Sequence, residues 1–276
     1  MAIIVPLEYM EGYILPVGSE AILLFILGAV LGSFLNVVAL NVDNTPGWVK
    51  RGHSVCPKCQ TPLRWYELIP LLSYLFLMGR CHHCKKAIAA SYFWVELFSG
   101  LAALGLYWSL HGTYMWWQLL IALLILCLWI VVFLYDARTL FLAEKPLYWS
   151  LVIAVVLRVT FGWSSLMYGV IGAVVGAVVL LAIRLLGTRI AKREAMGAFD
   201  AVVGAVIGMV VGWPYVIVAL FFSFIIGSVY GLIGVWRAHS TIRATEVPFA
   251  PALLLGGYLA WLYGAQIYAW YMGLLI

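Results

Sequence analysis

The chain has 276 residues, of which 66% are hydrophobic and 10% are charged, and its formal net charge is +5. No soluble domain of this length buries so much apolar surface, so the composition excludes a soluble globular protein and indicates a polytopic membrane protein. Backbone groups in lipid must be satisfied internally, and the apolar runs are long and continuous. We therefore expect helices rather than a closed barrel.

Eight apolar runs are candidate membrane spans, and the fourth and sixth are shorter than the roughly 20 residues that a straight span needs. The runs cover residues 21–40, 93–110, 115–135, 147–161, 166–186, 201–212, 215–236 and 250–276. The pattern predicts an all-α polytopic membrane protein with about eight transmembrane helices and one longer connection, after the first helix.

The basic residues are distributed unevenly among the connections. Of the 16 Lys and Arg residues, 15 fall in alternate connections or, as Arg184 does, at the adjoining end of a run, and Arg158 in the fourth run is the exception. The positive-inside rule places those connections in the cytoplasm and both termini outside it. The net positive charge reflects this topology, and we expect no nucleic-acid partner.

The first cytoplasmic connection carries four cysteines in two Cys-x2-Cys pairs, spaced as in a zinc ribbon. The pairs are Cys56 with Cys59 and Cys81 with Cys84. Two tight turns that each present two thiolates suit a tetrahedral, closed and therefore structural Zn²⁺ site. Two disulfides are the alternative, which a reducing cytoplasm disfavours. Cys127 lies in the third run and is interpreted as a small core residue.

An apolar segment, residues 65–75, separates the two cysteine pairs and is interrupted by Pro70. Two interpretations are open. The segment lies on the membrane surface as an interfacial element, or it forms the buried core of the ribbon.

Two aspartates lie at the edges of apolar runs, where a carboxylate is costly in lipid and therefore indicates function. Asp136 ends the third run and Asp200 precedes the sixth, and the topology places both at the cytoplasmic face. Two carboxyl groups at close range share one proton, and such a pair hydrolyses peptides through a water molecule. Glu96 is a third acid at this face, which either orients the site or is an ordinary interfacial acid.

Other roles for the two aspartates stay open. Asp136 pairs with Arg138 at the interface while Asp200 caps the sixth helix, as carboxylates often do. Alternatively, the buried acids form a proton or ion relay.

Together these residues resemble those of the type IV prepilin peptidases, over nearly all of the chain from residue 32 onward. The matching segments are Gly32-Ser33-Phe34-Leu35-Asn36-Val37-Val38, the two cysteine pairs, Ile69-Pro70-Leu71-Leu72-Ser73-Tyr74, Gly79-Arg80-Cys81, Glu96, Asp136, Met196-Gly197-Ala198-Phe199-Asp200, Gly212-Trp213 and Val247-Pro248-Phe249-Ala250-Pro251. Asp136 and Asp200 fall on the family's two catalytic aspartates.

The resemblance implies an aspartic endopeptidase that removes the basic leader of prepilin or pseudopilin precursors. These precursors belong to type IV pili and type II secretion systems. It implies a bacterial inner-membrane location with the active site facing the cytoplasm. In many members it also implies N-methylation of the new terminus with S-adenosylmethionine. We accordingly predict a first span within residues 1–41, a four-cysteine metal-binding domain at 42–92 and a transmembrane aspartic peptidase domain at 93–276.

Three positions depart from the family pattern. Phe199 replaces the second Gly of Gly-x-Gly-Asp, Val202 replaces a Lys, and Leu142-Ala143-Glu144 replaces Ile-Pro-Asp. Since Gly allows backbone angles that other residues avoid, we expect Phe199 to restrict the backbone beside Asp200.

Two further hypotheses follow from these departures and from the buried acids. In the first, the protein is a catalytically degenerate family member that acts as a scaffold or assembly factor through its metal ribbon. In the second, it is a proton- or cation-coupled transporter. The transporter hypothesis lacks support, because this sequence shows no inverted repeat of the kind that such transporters contain. The glycines of the fifth run, Gly169, Gly172 and Gly176, predict close helix packing.

Overall fold

The computed structural model describes residues 17–42, 54–56, 58–192, 196–197, 199–238 and 248–275. Pro57, Ala198 and Val247, which belong to the motifs above, lie outside these residues. The described part contains eight long helices and no β-strand. The helices are α1 (Val17–Ala39), α2 (Ser91–Leu110), α3 (Trp116–Thr139), α4 (Glu144–Thr160), α5 (Trp163–Ala191), α6 (Asp200–Val211), α7 (Tyr215–Ala238) and α8 (Ala250–Leu275). The all-α prediction is confirmed, and each predicted apolar run coincides with one helix.

Five of the helices are long and apolar enough to cross a membrane, namely α1, α2, α3, α5 and α7, and α6 is a shorter apolar helix. Their outer faces carry large apolar side chains, such as the exposed Val174 and Val178 of α5. Such faces suit lipid rather than water. The multi-pass membrane class is therefore confirmed, while the number of eight crossings stays a prediction.

The chain divides into two compact units, Met1–Leu119 and Leu120–Ile276. In the first unit α1 packs against α2 at very short range. A Cβ atom at Gly28 would lie 2.6 Å from the Cβ atom of Ala103, so a larger residue does not fit without movement. The cysteine ribbon connects these two helices. The domain boundaries that the sequence predicts, after residues 41 and 92, stay a prediction.

Between the cysteine pairs, the chain forms a 3₁₀ helix, Trp65–Leu68, and a short α-helix, Leu72–Phe76. No residue of either element is buried. The interpretation of this segment as a ribbon core is therefore wrong, and its exposure agrees with an interfacial element.

In the second unit, α6 packs against α5 along a line of glycines. Gly172 and Gly176 of α5 face Gly208 and Gly204 of α6, and a Cβ atom on any of them would collide with the backbone of the other helix. The predicted role of the α5 glycines in close packing is confirmed. Because α6 also contacts α4, α7 and α8, most of its residues are buried.

Replacing Gly208 with alanine is expected to destabilise the protein by about 1–3 kcal/mol, because the new methyl group has no space against α5. A lower thermal unfolding temperature of the detergent-solubilised protein would report this effect. Gly231→Ala in α7 is the matched control, since no atom lies within 4 Å of a Cβ atom there. Equal unfolding temperatures for the two variants would contradict the close approach of α5 and α6.

Arg158, the one basic residue that departs from the charge pattern of the sequence, binds the C-terminal end of α6. Its Nε donates to the carbonyl oxygen of Met209 at 3.0 Å, and its Nη2 donates to that of Val210 at 2.7 Å. Carbonyls at a helix C-terminus lack intrahelical partners and carry partial negative charge, so they stabilise a cation. Arg158 and Asp200 therefore lie at opposite ends of the same short helix.

Candidate active site and metal centre

Asp136 lies on the buried face of α3, near the end of the helix. Ile125, Trp129 and Val132 share this face through helical spacing, and all three are buried. Asp136 itself is only 4% exposed. Among the described residues, its Oδ2 atom has no hydrogen-bond partner. A buried oxygen without a partner indicates a place for a polar group that the protein does not supply, such as a water molecule or a substrate amide.

Asp200 is the first residue of α6 and is also 4% exposed. Its Oδ2 accepts a hydrogen bond from the backbone N–H of Gly197 at 3.0 Å. The N-cap residue of α6 is Phe199, which makes no side-chain cap hydrogen bond. The carboxylate of Asp200 therefore holds the turn that precedes the helix, which differs from the usual N-cap contact with the first helical N–H groups.

The two carboxyl groups are close enough to interact electrostatically, although they lie on helices far apart in the chain. That Asp136 and Asp200 share one catalytic site stays a prediction. Arg184 of α5 also acts on Asp200 through its positive charge. Sequence analysis missed Arg184, because only the packing of α5 on α6 brings its charge near Asp200.

The four cysteines of the first unit form one cluster. The Sγ atoms of Cys56, Cys59, Cys81 and Cys84 all lie within 4.8 Å of one another, and all four cysteines are free thiols. Tetrahedral Zn²⁺ with Zn–S bonds near 2.3 Å needs sulfurs about 3.8 Å apart. The cluster therefore has the size and donor set of a four-coordinate metal site, and the disulfide alternative does not agree with it.

The two cysteine pairs lie in two equivalent turns, the first knuckle (residues 54–63) and the second knuckle (residues 79–88). In each knuckle, the backbone N–H of the first cysteine donates a hydrogen bond to the carbonyl oxygen of the residue five positions later. These pairs are Cys56 with Thr61 and Cys81 with Lys86. The residue after the second cysteine has positive φ in both, 58° at Gln60 and 57° at Lys85. The same backbone turn thus presents each pair of thiols.

Thr61 also prepares one thiol for metal binding. Hydrogen bonds from its side chain and its backbone lower the pKa of Cys59 to about 6. A thiol must lose its proton to bind a metal, so this turn favours the form of Cys59 that acts as a ligand.

Glu96, the third acid, holds a turn of the segment between the knuckles. It is 8% exposed, and its Oε2 accepts a hydrogen bond from the backbone N–H of Leu71 at 2.8 Å. Leu71 has φ 61° and ψ −53°, and the N–H of Leu72 donates to the carbonyl oxygen of Pro70 at 2.6 Å. This is a γ-turn with positive φ at its centre, a rare and strained form. Glu96 therefore stabilises an unfavourable turn.

Comparison with known proteins assigns the chain to a family. Residues 26–110 match the Bacterial Peptidase A24 N-terminal domain, and residues 122–232 match the Type IV leader peptidase family. A prepilin leader peptidase/N-methyltransferase of Aeromonas hydrophila is 30% identical over 91% of this chain and 93% of its own length. The chain belongs to the type IV leader peptidase family. Proteins of the same name from Burkholderia pseudomallei and Pseudomonas aeruginosa are each 31% identical, over 92% and 90% of this chain and 89% and 91% of their own. No solved structure matches the chain.

The departures from the leader peptidase pattern have different consequences. Phe199 has φ −81° and ψ −11°, which any residue adopts, so the turn before Asp200 does not require glycine at this position. The expected restriction of the backbone beside Asp200 stays a prediction. Val202 leaves the family's Lys absent, but Arg184 supplies a positive charge near Asp200. Glu144 is the exposed first residue of α4. The scaffold alternative is not favoured, because the relatives are named as enzymes.

The first unit of this leader peptidase also contains a cavity of about 720 Å³ between the knuckles and the adjoining ends of α1 and α2. Its lining includes two acids, Glu67 and Glu96, two bases, Lys58 and Lys86, and the tyrosines Tyr74 and Tyr92. Small-molecule sites have volumes of roughly 300–1,000 Å³. The two lysines balance the two acids, and the tyrosine rings suit the cationic part of a ligand that carries charges of both signs.

Proposed function

We propose that the protein is a membrane-embedded aspartic endopeptidase that removes the basic leader from prepilin or pseudopilin precursors. One observation carries this proposal: two buried carboxyl groups, Asp136 of α3 and Asp200 of α6, interact with each other inside the helical unit. Buried interacting acids are costly in a membrane protein and are typical of functional sites. Membership of the leader peptidase family supports the same activity.

The two aspartates take different parts in the proposed reaction. Asp200 is the ionised partner, because the N–H of Gly197 and the charge of Arg184 stabilise a negative charge there. It removes a proton from a water molecule, whose oxygen attacks the peptide carbonyl carbon. Asp136 carries the shared proton, donates a hydrogen bond to the carbonyl oxygen and then protonates the leaving amine as the C–N bond breaks.

We place the site at the cytoplasmic face of the bacterial inner membrane. Arg138 follows Asp136 at the end of α3, and Arg184 and Arg189 lie near the end of α5. Basic residues at these helix ends favour the cytoplasmic side. A precursor with a basic leader and an apolar helix then presents its cleavage site at the depth of the two aspartates.

We further propose that the four cysteines hold a structural Zn²⁺ ion. Their sulfurs suit tetrahedral coordination, and four thiolates leave no open position for a substrate or a catalytic water. The metal, when bound, supplies the cross-link between the two knuckles. Cys56 and Cys81 are buried, so the ribbon is built around the cluster.

We propose N-methylation of the new N-terminus as a second activity, because the relatives are named N-methyltransferases. The methyl donor is S-adenosylmethionine, a sulfonium cation. The cavity of the first unit fits such a donor in size, and its lining contains the acids Glu67 and Glu96 beside the bases Lys58 and Lys86. A donor bound there would supply the methyl group, and the two acids and the tyrosine rings would hold its positive charges while the two lysines would hold its carboxylate.

The test uses the purified full-length protein in lipid vesicles with several prepilin precursors, followed by mass spectrometry of the products. The expected products lack the leader, and they gain one methyl group only when S-adenosylmethionine is present. Cleavage without methylation would remove the second activity and leave the first. Failure to cleave every precursor would overturn the peptidase assignment.

A further inference from the structure

The segment between the knuckles exposes large apolar side chains that no part of the described chain covers. We call residues 65–78 the interknuckle segment. Trp65 is 78% exposed, Phe76 is 80% exposed and Met78 is 85% exposed. Three large apolar side chains this exposed within one short stretch are a liability in water and mark a surface that meets another apolar phase.

The short helix Leu72–Phe76 has two distinct faces. Leu72, Leu75 and Phe76 share one face through helical spacing and are all exposed. The opposite side faces the protein, where Tyr74 packs on the ring of Phe93 with centroids 5.4 Å apart. Ser73 and Leu77 line the cavity on that side. The helix is therefore attached through one face and presents the other outward.

Glu96 determines the depth of this segment relative to the membrane. Helix α2 has 20 residues, which span about 30 Å and match the hydrocarbon thickness of a bilayer. Glu96 is the sixth residue of α2, so it lies about 7.5 Å along the helix from Ser91. The hydrogen bond from Leu71 to Glu96 holds the γ-turn at the same level. Interfacial elements bury their apolar face to a depth of about 5–10 Å, which agrees with this position.

The charges around the segment suit a lipid surface. Four exposed basic side chains flank it in sequence, Arg64 before it and Arg80, Lys85 and Lys86 after it. Its own acid, Glu67, already accepts a hydrogen bond from the backbone N–H of Arg64 at 2.7 Å. Basic groups at the cytoplasmic surface attract anionic headgroups, and aromatic residues such as Trp65 favour the interface.

We infer that the interknuckle segment is a membrane-docking element that inserts Trp65, Leu72, Leu75, Phe76 and Met78 into the bilayer interface, clamped at that depth by Glu96. The metal ribbon is then held on the lipid surface rather than extending freely into the cytoplasm. This inference is independent of the proposed peptidase chemistry.

The test is photochemical labelling of the full-length protein in vesicles of phosphatidylethanolamine and phosphatidylglycerol. Phe76 is replaced by the photoreactive p-benzoylphenylalanine, and mass spectrometry then measures covalent lipid adducts after irradiation. Position 98, an exposed Phe of the membrane helix α2, is the positive control, and position 83, an exposed His of the second knuckle, is the negative control.

We expect lipid adducts at position 76 to exceed those at position 83 by about fivefold or more and to approach those at position 98. Adduct levels equal to those at position 83 would overturn the inference. Cross-links from position 76 to a second copy of the chain, in place of lipid, would overturn it as well and would identify the segment as a protein interface.

Discussion

Asp136→Asn and Asp200→Asn are each expected to lower the rate of prepilin cleavage by about a thousandfold or more, because each removes one half of a general acid–base pair. Asparagine keeps the shape of the side chain but neither accepts nor donates the proton. The measurement is the initial rate of leader removal by protein reconstituted in vesicles, read by gel shift and confirmed by mass. Either single substitution should lower the cleavage rate nearly as much as the double substitution, since the two aspartates act as a unit.

The control for this experiment is Glu144→Gln, which neutralises an exposed acid in the first turn of α4. Its cleavage rate is expected to equal that of the unchanged protein. All variants must show the same membrane yield and the same elution volume in detergent, so that a loss of rate reports chemistry. A substantial rate in Asp136→Asn or Asp200→Asn would show that the pair is not the catalytic centre.

Cys56→Ser and Cys84→Ser are each expected to remove the bound metal and to unfold the ribbon. Structural zinc sites contribute apparent binding free energies of about 10–16 kcal/mol in isolated zinc-finger peptides, and this binding energy is also folding energy. We expect about one zinc per chain in the unchanged protein by elemental analysis and nearly none in either variant. Limited proteolysis within residues 54–88 should become much faster, and a strong chelator should reproduce this effect.

Cys127→Ser supplies a matched control, because Cys127 is buried in α3 and belongs to the other compact unit. The same chemical change at this position should leave the zinc content and the proteolysis of the ribbon unaltered. Full zinc content in Cys56→Ser or Cys84→Ser would contradict a four-thiolate site. Fast proteolysis of the unchanged, metal-loaded protein would contradict a structural role.

Local sequence patterns were sufficient to predict the helices, the cysteine cluster and the topology of this protein. Eight apolar runs predicted eight helices, because a backbone in lipid satisfies its hydrogen bonds only within a helix or a closed barrel. The spacing of Cys56, Cys59, Cys81 and Cys84 predicted one cluster, because the chemistry of a tetrahedral site limits how thiols are arranged. The distribution of Lys and Arg predicted that Asp136 and Asp200 lie on one side of the membrane.

Features that depend on which helix faces which could not be found in this way. The charge of Arg184 reaches Asp200 only because paired glycines let α5 and α6 pack at backbone contact. Arg158 violated the charge pattern in the sequence, and its reason is the C-terminus of α6, a helix far along the chain. The ordinary angles of Phe199 depend on the turn that Gly197 and Asp200 close, which the sequence alone does not show.

Composition and hydropathy thus determined the membrane class and the all-helical fold, while charge and spacing predicted the topology, the metal ligands and the two candidate acids. Each of these follows from local chemistry or from the preference of residues for lipid or water. Tertiary structure decided the partners of Asp200, Arg158 and Glu96 and the exposure of the interknuckle segment. These properties depend on distances between residues remote in sequence, which only the packing of the folded chain determines.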